Sequence, residues 1–142
     1  MKLNTKQIVG ITFSTFDLFH AGHVKMLEEA KSQCDYLIVG VQLDPSIDRS
    51  KKNKPTQSII ERYIQLKGSK HVDEIVPYVT EADLEDILRS FKFDIRIIGD
   101  EYMDKHYTGK DYCEEKGVII YYNSRDHRFS SSELRKQIKK TE

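Results

Sequence analysis

The sequence predicts an α/β fold, a Rossmann-like doubly wound parallel sheet of five strands with helices on both faces. Two observations lead to this prediction. Short apolar runs rich in β-branched residues alternate with helical periods along the whole chain. The runs are apolar at successive positions, which is typical of strands that helices cover on both faces.

Five apolar runs are the predicted strands, at residues 8–13, 36–41, 74–79, 95–98 and 118–122. The helical periods between and after them fall at residues 24–31, 59–66 and 84–91, around Tyr112, and at 134–138. In doubly wound sheets, ligands bind beyond the carboxyl ends of the strands. We therefore expect the functional residues to follow directly after the apolar runs.

Length and charge limit the classes of function. The 142 residues are expected to form one domain spanning 1–142. Because 23 basic and 23 acidic side chains cancel, there is no general basic field for nucleic acid. No apolar run approaches the roughly 20 residues that span a bilayer. Cys34 and Cys113 lack a CxxC companion and are expected to be structural thiols, so the sequence predicts a cytoplasmic protein that neither inserts into a membrane nor binds nucleic acid.

Two histidines mark the first strand-to-helix junction, in the stretch STFDLFHAGH at residues 14–23. His20 and His23 are three residues apart, so their rings can lie on one side of the helix start. That position adjoins unpaired backbone N–H groups and the positive end of the helix dipole, which together attract anions. Gly22 between the histidines would let a bulky ligand approach the backbone.

Other interpretations of this stretch have weaker support. A single histidine here would most often be an incidental helix cap, with Phe16, Leu18 and Phe19 as core residues. HAGH does not have the HExxH spacing, and the absence of a third clustered ligand argues against a zinc site. The sequence contains neither GxGxxG nor GxxxxGK[ST], so it lacks both the dinucleotide fingerprint and the P-loop.

Four segments in order resemble one enzyme family. They are TFDLFHAGH at 15–23, ERY at 61–63 with HVDEIVP at 71–77, IIGDE at 97–101, and SRDHRFSSSELRK at 124–136. These segments resemble the motifs of nucleotidyltransferases of the cytidylyltransferase type (HxGH). Among them, the glycerol-3-phosphate cytidylyltransferases are the most similar in length and motif order. The resemblance covers about residues 8–138.

The resemblance implies a transferase that uses CTP and a phosphate monoester. A phosphate oxygen of the acceptor, with glycerol 3-phosphate as first choice, would attack the α-phosphorus, releasing pyrophosphate and giving a CDP-alcohol. A phosphate monoester is mostly dianionic at neutral pH because its second pKa is about 6. The enzyme must therefore supply alignment and charge stabilisation rather than a base. The triphosphate implies Mg²⁺ bound through substrate phosphates, and the family implies a homodimer.

The resemblance also assigns roles around the first motif. His20 and His23 would contact the α-phosphate, with Thr15, Gly22 and the backbone near Phe16 beside them. Asp17 is expected either to orient a histidine or to meet the acceptor, although turn chemistry is an equally common role for such a carboxylate.

Further roles follow for the later segments. Lys51 and Lys54, in the loop RSKKNKP at 49–55, would bind triphosphate and acceptor, with Lys52 as their nearest substitute. Arg62 would face the nucleotide, and Asp100 would bound its pocket. Arg125 would bind the β- and γ-phosphates together with Ser130 and Ser131, at a helix start that the capping box Ser130–x–x–Glu133 predicts.

Two departures from the family pattern leave the acceptor less certain than the reaction. Ser14 replaces a glycine in the first motif, and Asp126, His127 and Arg128 replace the residues TEG in the last. An acceptor with more negative charge than glycerol 3-phosphate, or a larger polyol, is therefore an open alternative. Two other functions stay open as well: an adenylyltransferase acting with ATP on a sugar or coenzyme-precursor phosphate, and a non-catalytic nucleotide-binding module.

Overall fold

A computed structural model of the protein describes residues 6–124, together with positions 136 and 138, which are both helical. Arg125, Ser130, Ser131 and the departures at 126–128 lie outside the described residues, as does the predicted capping box.

The described chain alternates strands and helices, and the prediction of the fold class is confirmed. The strands are β1 (Val9–Ser14), β2 (Tyr36–Gln42), β3 (Glu74–Tyr78), β4 (Ile95–Gly99) and β5 (Ile119–Asn123). The helices are α1 (Ala21–Ser32), α2 (Ile59–Lys67), α3 (Glu81–Ser90) and α4 (Lys110–Glu115), with a short 3-10 helix at Asp100–Tyr102. Each strand begins and ends within one residue of its predicted bounds.

The five strands form one parallel sheet in the order β3-β2-β1-β4-β5. The sheet is covered on both faces, because α1 and α2 pack on one apolar cluster and α3 and α4 on the other. Alternate residues of β2 serve the two clusters: Leu37, Val39 and Val41 face α1, and Ile38 faces α3. All carboxyl ends of the strands therefore lie at one edge, where ligands bind in such sheets.

An aspartate joins neighbouring strands at the opposite, amino-terminal edge of the sheet. Asp94, directly before β4, accepts a hydrogen bond from the Val9 amide at 2.9 Å, while its own amide donates to the Val9 carbonyl. Asp35 before β2 and Asp73 before β3 repeat this arrangement on the next strands. The aspartate side chains thus pair backbone groups at the start of β1 and β2, where the hydrogen bonds between the strands have not yet begun.

Helix α2 is rotated relative to the sequence-based expectation. Its apolar period predicted a buried stripe, but Ile60 and Ile64 are 64% and 63% exposed. The helix instead buries Arg62 and Leu66, which lie four residues apart on one face. No helix in the described part of the chain is long and apolar enough to cross a membrane.

Candidate active site

The two histidines form the N-terminal cap of α1. His20 is the N-cap residue in extended conformation, and its Nδ1 accepts a hydrogen bond from the Gly22 amide at 2.9 Å. His23, three residues on, accepts the His20 amide through its own Nδ1 at 3.2 Å. The pair therefore forms a reciprocal capping box in which imidazoles take the places of Ser and Glu.

This cap determines which ring nitrogen of each histidine carries the proton. A neutral imidazole that accepts through Nδ1 carries its proton on Nε2. Both histidines are thus in the tautomer that presents an Nε2–H donor on the side of the ring away from the helix backbone. The rings stack with centroids 4.0 Å apart, and Phe19 stacks on the other face of His23 at 5.4 Å. The structure therefore brings the two predicted imidazoles together with their donor sides defined.

The N-terminus of α1 differs from those of the neighbouring helices. Its first turn carries no acidic residue, whereas Glu61 lies in the first turn of α2, and Glu81 and Asp83 in that of α3. Acidic residues at a helix start offset the positive end of the dipole. Among these three helices, α1 is the one whose N-terminus has not been offset in this way, which suits an incoming anion.

The turn between β1 and α1 is strained and tied down. Phe16 and Leu18 have positive φ angles of 54° and 52°, a conformation that is uncommon without glycine and that clusters at functional sites. Asp17 between them is 5% exposed, and its two carboxylate oxygens accept the amides of Thr56 and Gln57 at 2.8 and 2.9 Å. Asp17, predicted to orient a histidine or meet the acceptor, thus joins this turn to the end of the basic loop.

Arg62 differs from its prediction as a nucleotide-facing residue. The side chain is 1% exposed and donates hydrogen bonds to five backbone carbonyls. Those carbonyls belong to three segments: Thr15 in the turn after β1, the end of β2 with Leu43, and the start of α2. Burial lowers the pKa of Arg62, and the nearby charge of Asp17 opposes that shift. Its guanidinium therefore holds the walls of the site together beneath the surface.

Two adjoining cavities open at the carboxyl edge of the sheet, and four residues line both. The smaller, of about 200 Å³, contains His23 and the turn that follows β1. The larger, of about 230 Å³, extends across the ends of all five strands. Both are lined by Ser14, Thr15, Pro45 and Lys52. Ser14, where the family usually has glycine, thus adds a hydroxyl-bearing residue to the shared wall.

The basic loop presents a different lysine from those predicted. All three lysines are exposed, but Lys51 and Lys54 line neither of the two cavities, whereas Lys52 lines both. This part of the loop forms a tight turn, in which the Arg49 carbonyl accepts the Lys52 amide at 2.9 Å. The run of lysines predicts that the loop is cationic. A run of similar residues does not show how the turn is rotated, and so it does not predict which lysine lines the cavities.

Sequence reasoning missed several polar residues of the larger cavity. Arg49, Glu81, Arg96 and Asn123 line it, and each has a buried polar atom without a hydrogen-bond partner among the described residues. Two of these had a signal in the sequence. Arg96 interrupts the apolar run of β4, and Asn123 ends that of β5, both at positions where an unpaired polar group is costly.

Asp100 begins the 3-10 helix that follows β4, at the predicted edge of the sheet. Its neighbours Gly99 and Glu101 line the larger cavity. Within residues 6–124, no group of three or more His, Cys, Asp or Glu side chains is placed to hold a metal ion. Cys34 and Cys113 are free thiols whose pKa is raised by burial, as expected of structural cysteines.

Comparisons with known proteins agree with this geometry. Residues 11–137 match the family model described as cytidylyltransferase-like. Two glycerol-3-phosphate cytidylyltransferases, from Bacillus subtilis and Bacillus spizizenii, are 33% and 36% identical to the chain, each over 90% of this chain and 95% of the relative. The bifunctional protein HldE of Campylobacter jejuni is 36% identical over 98% of this chain, which spans only 29% of that protein.

Solved structures share the fold. A lipopolysaccharide core biosynthesis protein from Thermoplasma volcanium has a TM-score of 0.66 at 24% identity, covering 88% of this chain and 100% of that one. Pantoate-β-alanine ligase from Francisella tularensis has a TM-score of 0.62 at 16% identity, covering 96% of this chain and 71% of that one. With the family match over most of its length, the chain belongs to the cytidylyltransferase-like family and is a nucleotidyltransferase.

Proposed function

We propose that this nucleotidyltransferase transfers CMP from CTP to a phosphorylated alcohol, releasing pyrophosphate and forming a CDP-alcohol. The relatives named glycerol-3-phosphate cytidylyltransferase support CTP as donor and glycerol 3-phosphate as the first acceptor to test. Their similarity extends over nine-tenths of this chain and nearly the whole of theirs.

One observation carries the proposal: two stacked imidazoles cap a helix whose first turn has no acidic residue, and one of them, His23, lines a cavity together with Lys52. Each ring offers an Nε2–H donor, and the helix start adds the positive end of its dipole. This is an electrostatic site for an anion that gains charge in a transition state.

In the proposed step, an oxygen of the acceptor phosphate forms a bond to the α-phosphorus of CTP. The bond from that phosphorus to the oxygen bridging it to the β-phosphate breaks, and the electron pair leaves with pyrophosphate. Because the acceptor phosphate is already mostly dianionic at neutral pH, no side chain has to remove a proton. His20 and His23 stabilise charge on the α-phosphate, and Lys52 lies between the two anions and offsets their repulsion.

The two cavities suggest a division between the substrates. The smaller cavity at the start of α1 receives the α-phosphate, with Thr15 and the backbone of Phe16 in its wall. Lys51 and Lys54 are proposed to reach the outer phosphates from the loop, and Asp100 to bound the nucleoside. Arg125, Ser130 and Ser131 are proposed to take the β- and γ-phosphates. An acceptor phosphate at the shared wall then directs its organic part into the larger cavity.

Mg²⁺ is proposed to accompany the triphosphate. The described residues offer no cluster of three acidic or histidine ligands, so the ion would be held mainly by phosphate oxygens and water, as Mg²⁺ commonly is. Bound there, it would neutralise part of the charge that develops on pyrophosphate.

Adenylyl transfer from ATP to a sugar or coenzyme-precursor phosphate is the rival proposal. The fold does not discriminate between the bases, since the pantoate-β-alanine ligase that shares it was solved with a β,γ-ATP. The homodimer and the cytoplasmic location stay predictions. The exposed apolar side chains of Ile60 and Ile64 on α2 are compatible with a partner surface.

Pyrophosphate release tests the proposal, measured with CTP and with ATP against a panel of phosphorylated alcohols and sugars. Release with CTP and not with ATP is the expected result. Product with ATP alone would show that the protein is an adenylyltransferase instead. Tight nucleotide binding without release from any pair would identify a non-catalytic module.

A further inference from the structure

Arg96 is a buried cation whose partners are all electrically neutral. It lies on β4, is 3% exposed, and lines the larger cavity. Its Nη1 donates to the Thr108 carbonyl, and its guanidinium lies 5.4 Å from the ring of Phe13 and 5.1 Å from that of Tyr107. None of the ion pairs among residues 6–124 includes it.

The titratable groups around Arg96 do not supply the missing negative charge. Burial raises the pKa of Cys113, and burial also raises the pKa of Tyr78. The pKa of Tyr107 is raised by burial and by its hydrogen bond with Tyr122. All three groups are therefore neutral at physiological pH, while an arginine keeps its proton even where burial lowers its pKa, as it does for Arg96.

Among the described residues, five charged side chains line this cavity: Arg49, Lys52 and Arg96 are positive, and Glu81 and Glu101 are negative, which leaves one positive charge in surplus. Arg49 faces Glu81, with Nη1 3.9 Å from Oε1, so these two charges offset each other. Burying a charge without a counter-charge is costly, and buried charges in proteins are usually paired. An unpaired buried charge is therefore a candidate for binding a charged ligand. Arg96 thus lacks a counter-charge in the part of the chain that the structure describes.

Unpaired polar atoms surround this surplus charge. In the described residues, Nε of Arg96 and Nε of Arg49 have no acceptor, and Oε2 of Glu81 and Oδ1 of Asn123 have no donor. All four residues line the larger cavity. Two unused donors and two unused acceptors suit a ligand that bears hydroxyl groups as well as a negative charge.

We propose that Arg96 is a specificity-determining residue that binds a carboxylate on the organic part of the acceptor, which makes the acceptor a phosphorylated hydroxy acid. The inference rests on the proposed function. A carboxylate carries the single negative charge that matches the surplus, and its planar geometry fits a guanidinium. The cavity of about 230 Å³ is smaller than the roughly 300–1,000 Å³ typical of drug-sized ligands, which favours a small acceptor.

The acceptor's phosphate is not the group that Arg96 binds. The reacting phosphate must approach the α-phosphorus at the start of α1, where the smaller cavity lies, and Arg96 lines only the larger of the two cavities. The carboxylate would therefore occupy the end of the acceptor distant from the reacting oxygen.

Matched acceptors test this inference. 6-Phosphogluconate and glucitol 6-phosphate differ only in a carboxylate against a hydroxymethyl group, and 3-phosphoglycerate forms a second pair with the glycerol phosphate of the same configuration. We expect kcat/KM for pyrophosphate release to favour the carboxylate member of a pair by about 10-fold or more, the effect of one charge-assisted hydrogen bond. Arg96→Met should reduce that preference to less than about 3-fold, and Arg96→Lys should leave an intermediate preference.

Turnover of the neutral acceptors at equal or better kcat/KM, unaffected by Arg96→Met, would overturn the inference and leave the proposed function standing. If no pair releases pyrophosphate, the proposed function fails. The inference is then decided by calorimetric binding of 6-phosphogluconate against glucitol 6-phosphate to the wild type and to Arg96→Met. If Arg96 only supports Thr108, its substitution should lower the melting temperature without changing the acceptor preference. Circular dichroism verifies that each variant is folded.

Discussion

At the scale of single residues, Arg62 is a motif residue that is buried beneath the candidate site. Its guanidinium lies where the turn after β1, the end of β2 and the start of α2 meet, and all five of its hydrogen bonds go to backbone carbonyls. A planar cation with five donors is the one side chain able to satisfy so many carbonyls at once. The negative charge of Asp17 partly offsets the cost of burying it.

We therefore predict that Arg62→Met lowers the free energy of unfolding by about 3 kcal/mol. The substitution removes several charge-assisted hydrogen bonds and a positive charge that interacts favourably with the buried Asp17. Urea denaturation measures the loss. Because the same carbonyls shape the turn and the basic loop, KM should rise for both substrates.

Arg89→Met is the matched control, since Arg89 is a helix arginine whose side chain is 57% exposed and pairs with Glu85 at 3.3 Å. Its loss should cost less than about 1 kcal/mol, as is usual for an exposed pair. Equal destabilisation by the two substitutions would contradict the positioning role given to Arg62.

At the scale of elements, aspartates before three consecutive strands set the amino edge of the sheet. Asp94 is the clearest case, because the Val9 amide and the ammonium of Lys6 hold its pKa below the usual value for aspartate. The hydrogen bond to Val9 joins the start of β4 to the start of β1, the central strand of the sheet. Its carboxylate thus stabilises the folded state only while it is ionised.

The pH dependence of stability follows from the lowered pKa of Asp94. As the pH falls, the unfolded chain protonates Asp94 first, near pH 4, and so binds more protons than the folded protein. The contribution of Asp94 is present above the unfolded pKa and is lost as the pH falls through the lower folded pKa. Asp44 and Asp83, whose pKa values are lowered by hydrogen bonds to Ser46 and to Thr80 and Val79, act in the same direction.

We predict that the melting temperature falls as the pH is reduced from about 5 to 3, and that Asp94→Asn lessens this fall because the amide does not titrate. At pH 7 the variant should melt below the wild type, and the difference should shrink toward pH 3. Calorimetric scans across this range measure both curves. A difference that stays constant with pH would show that Asp94 contributes through shape and not through charge.

At the scale of the whole molecule, the sequence predicted the sheet well because buried parallel strands leave a local signature. The runs are mostly apolar at successive positions and alternate with helical periods, so strand bounds were predicted to within one residue. The HAGH pair was predicted for a similar reason. A spacing of three residues at a helix start already determines that two rings meet, and their centroids are 4.0 Å apart.

The features that the sequence did not predict depend on how an element is rotated about its axis and on contacts between residues far apart in the chain. The rotation of α2 is set by carbonyls from segments up to 47 residues away in the chain, so Arg62 is buried and Ile60 is exposed. The choice of Lys52 over Lys51 and Lys54 depends on the phase of one turn. The polar wall formed by Arg49, Glu81 and Arg96 unites the loop after β2, the start of α3 and the middle of β4, and no local pattern relates these segments.

The catalytic account depends on the meeting of these elements at one edge. Asp17 joins the strained turn after β1 to Thr56 and Gln57, which follow the basic loop. Arg62 joins the same turn to the end of β2 and the start of α2, and the imidazoles cap α1 directly after this turn. In the proposed mechanism the rate would come from electrostatic stabilisation of the phosphate by these donors rather than from proton removal. A variant that keeps the cap but replaces the imidazole with a shorter side chain separates these contributions.

His20→Asn is that variant, and its turnover number for pyrophosphate release is the most direct measurement. Asparagine is among the best N-cap residues, so the variant should melt within about 3 °C of the wild type while its turnover falls at least about 100-fold. His71→Asn, before β3 at the opposite edge of the sheet, should turn over at the wild-type rate. Turnover of His20→Asn within about 3-fold of the wild type would contradict the account, because losing one such donor should cost about 100-fold or more.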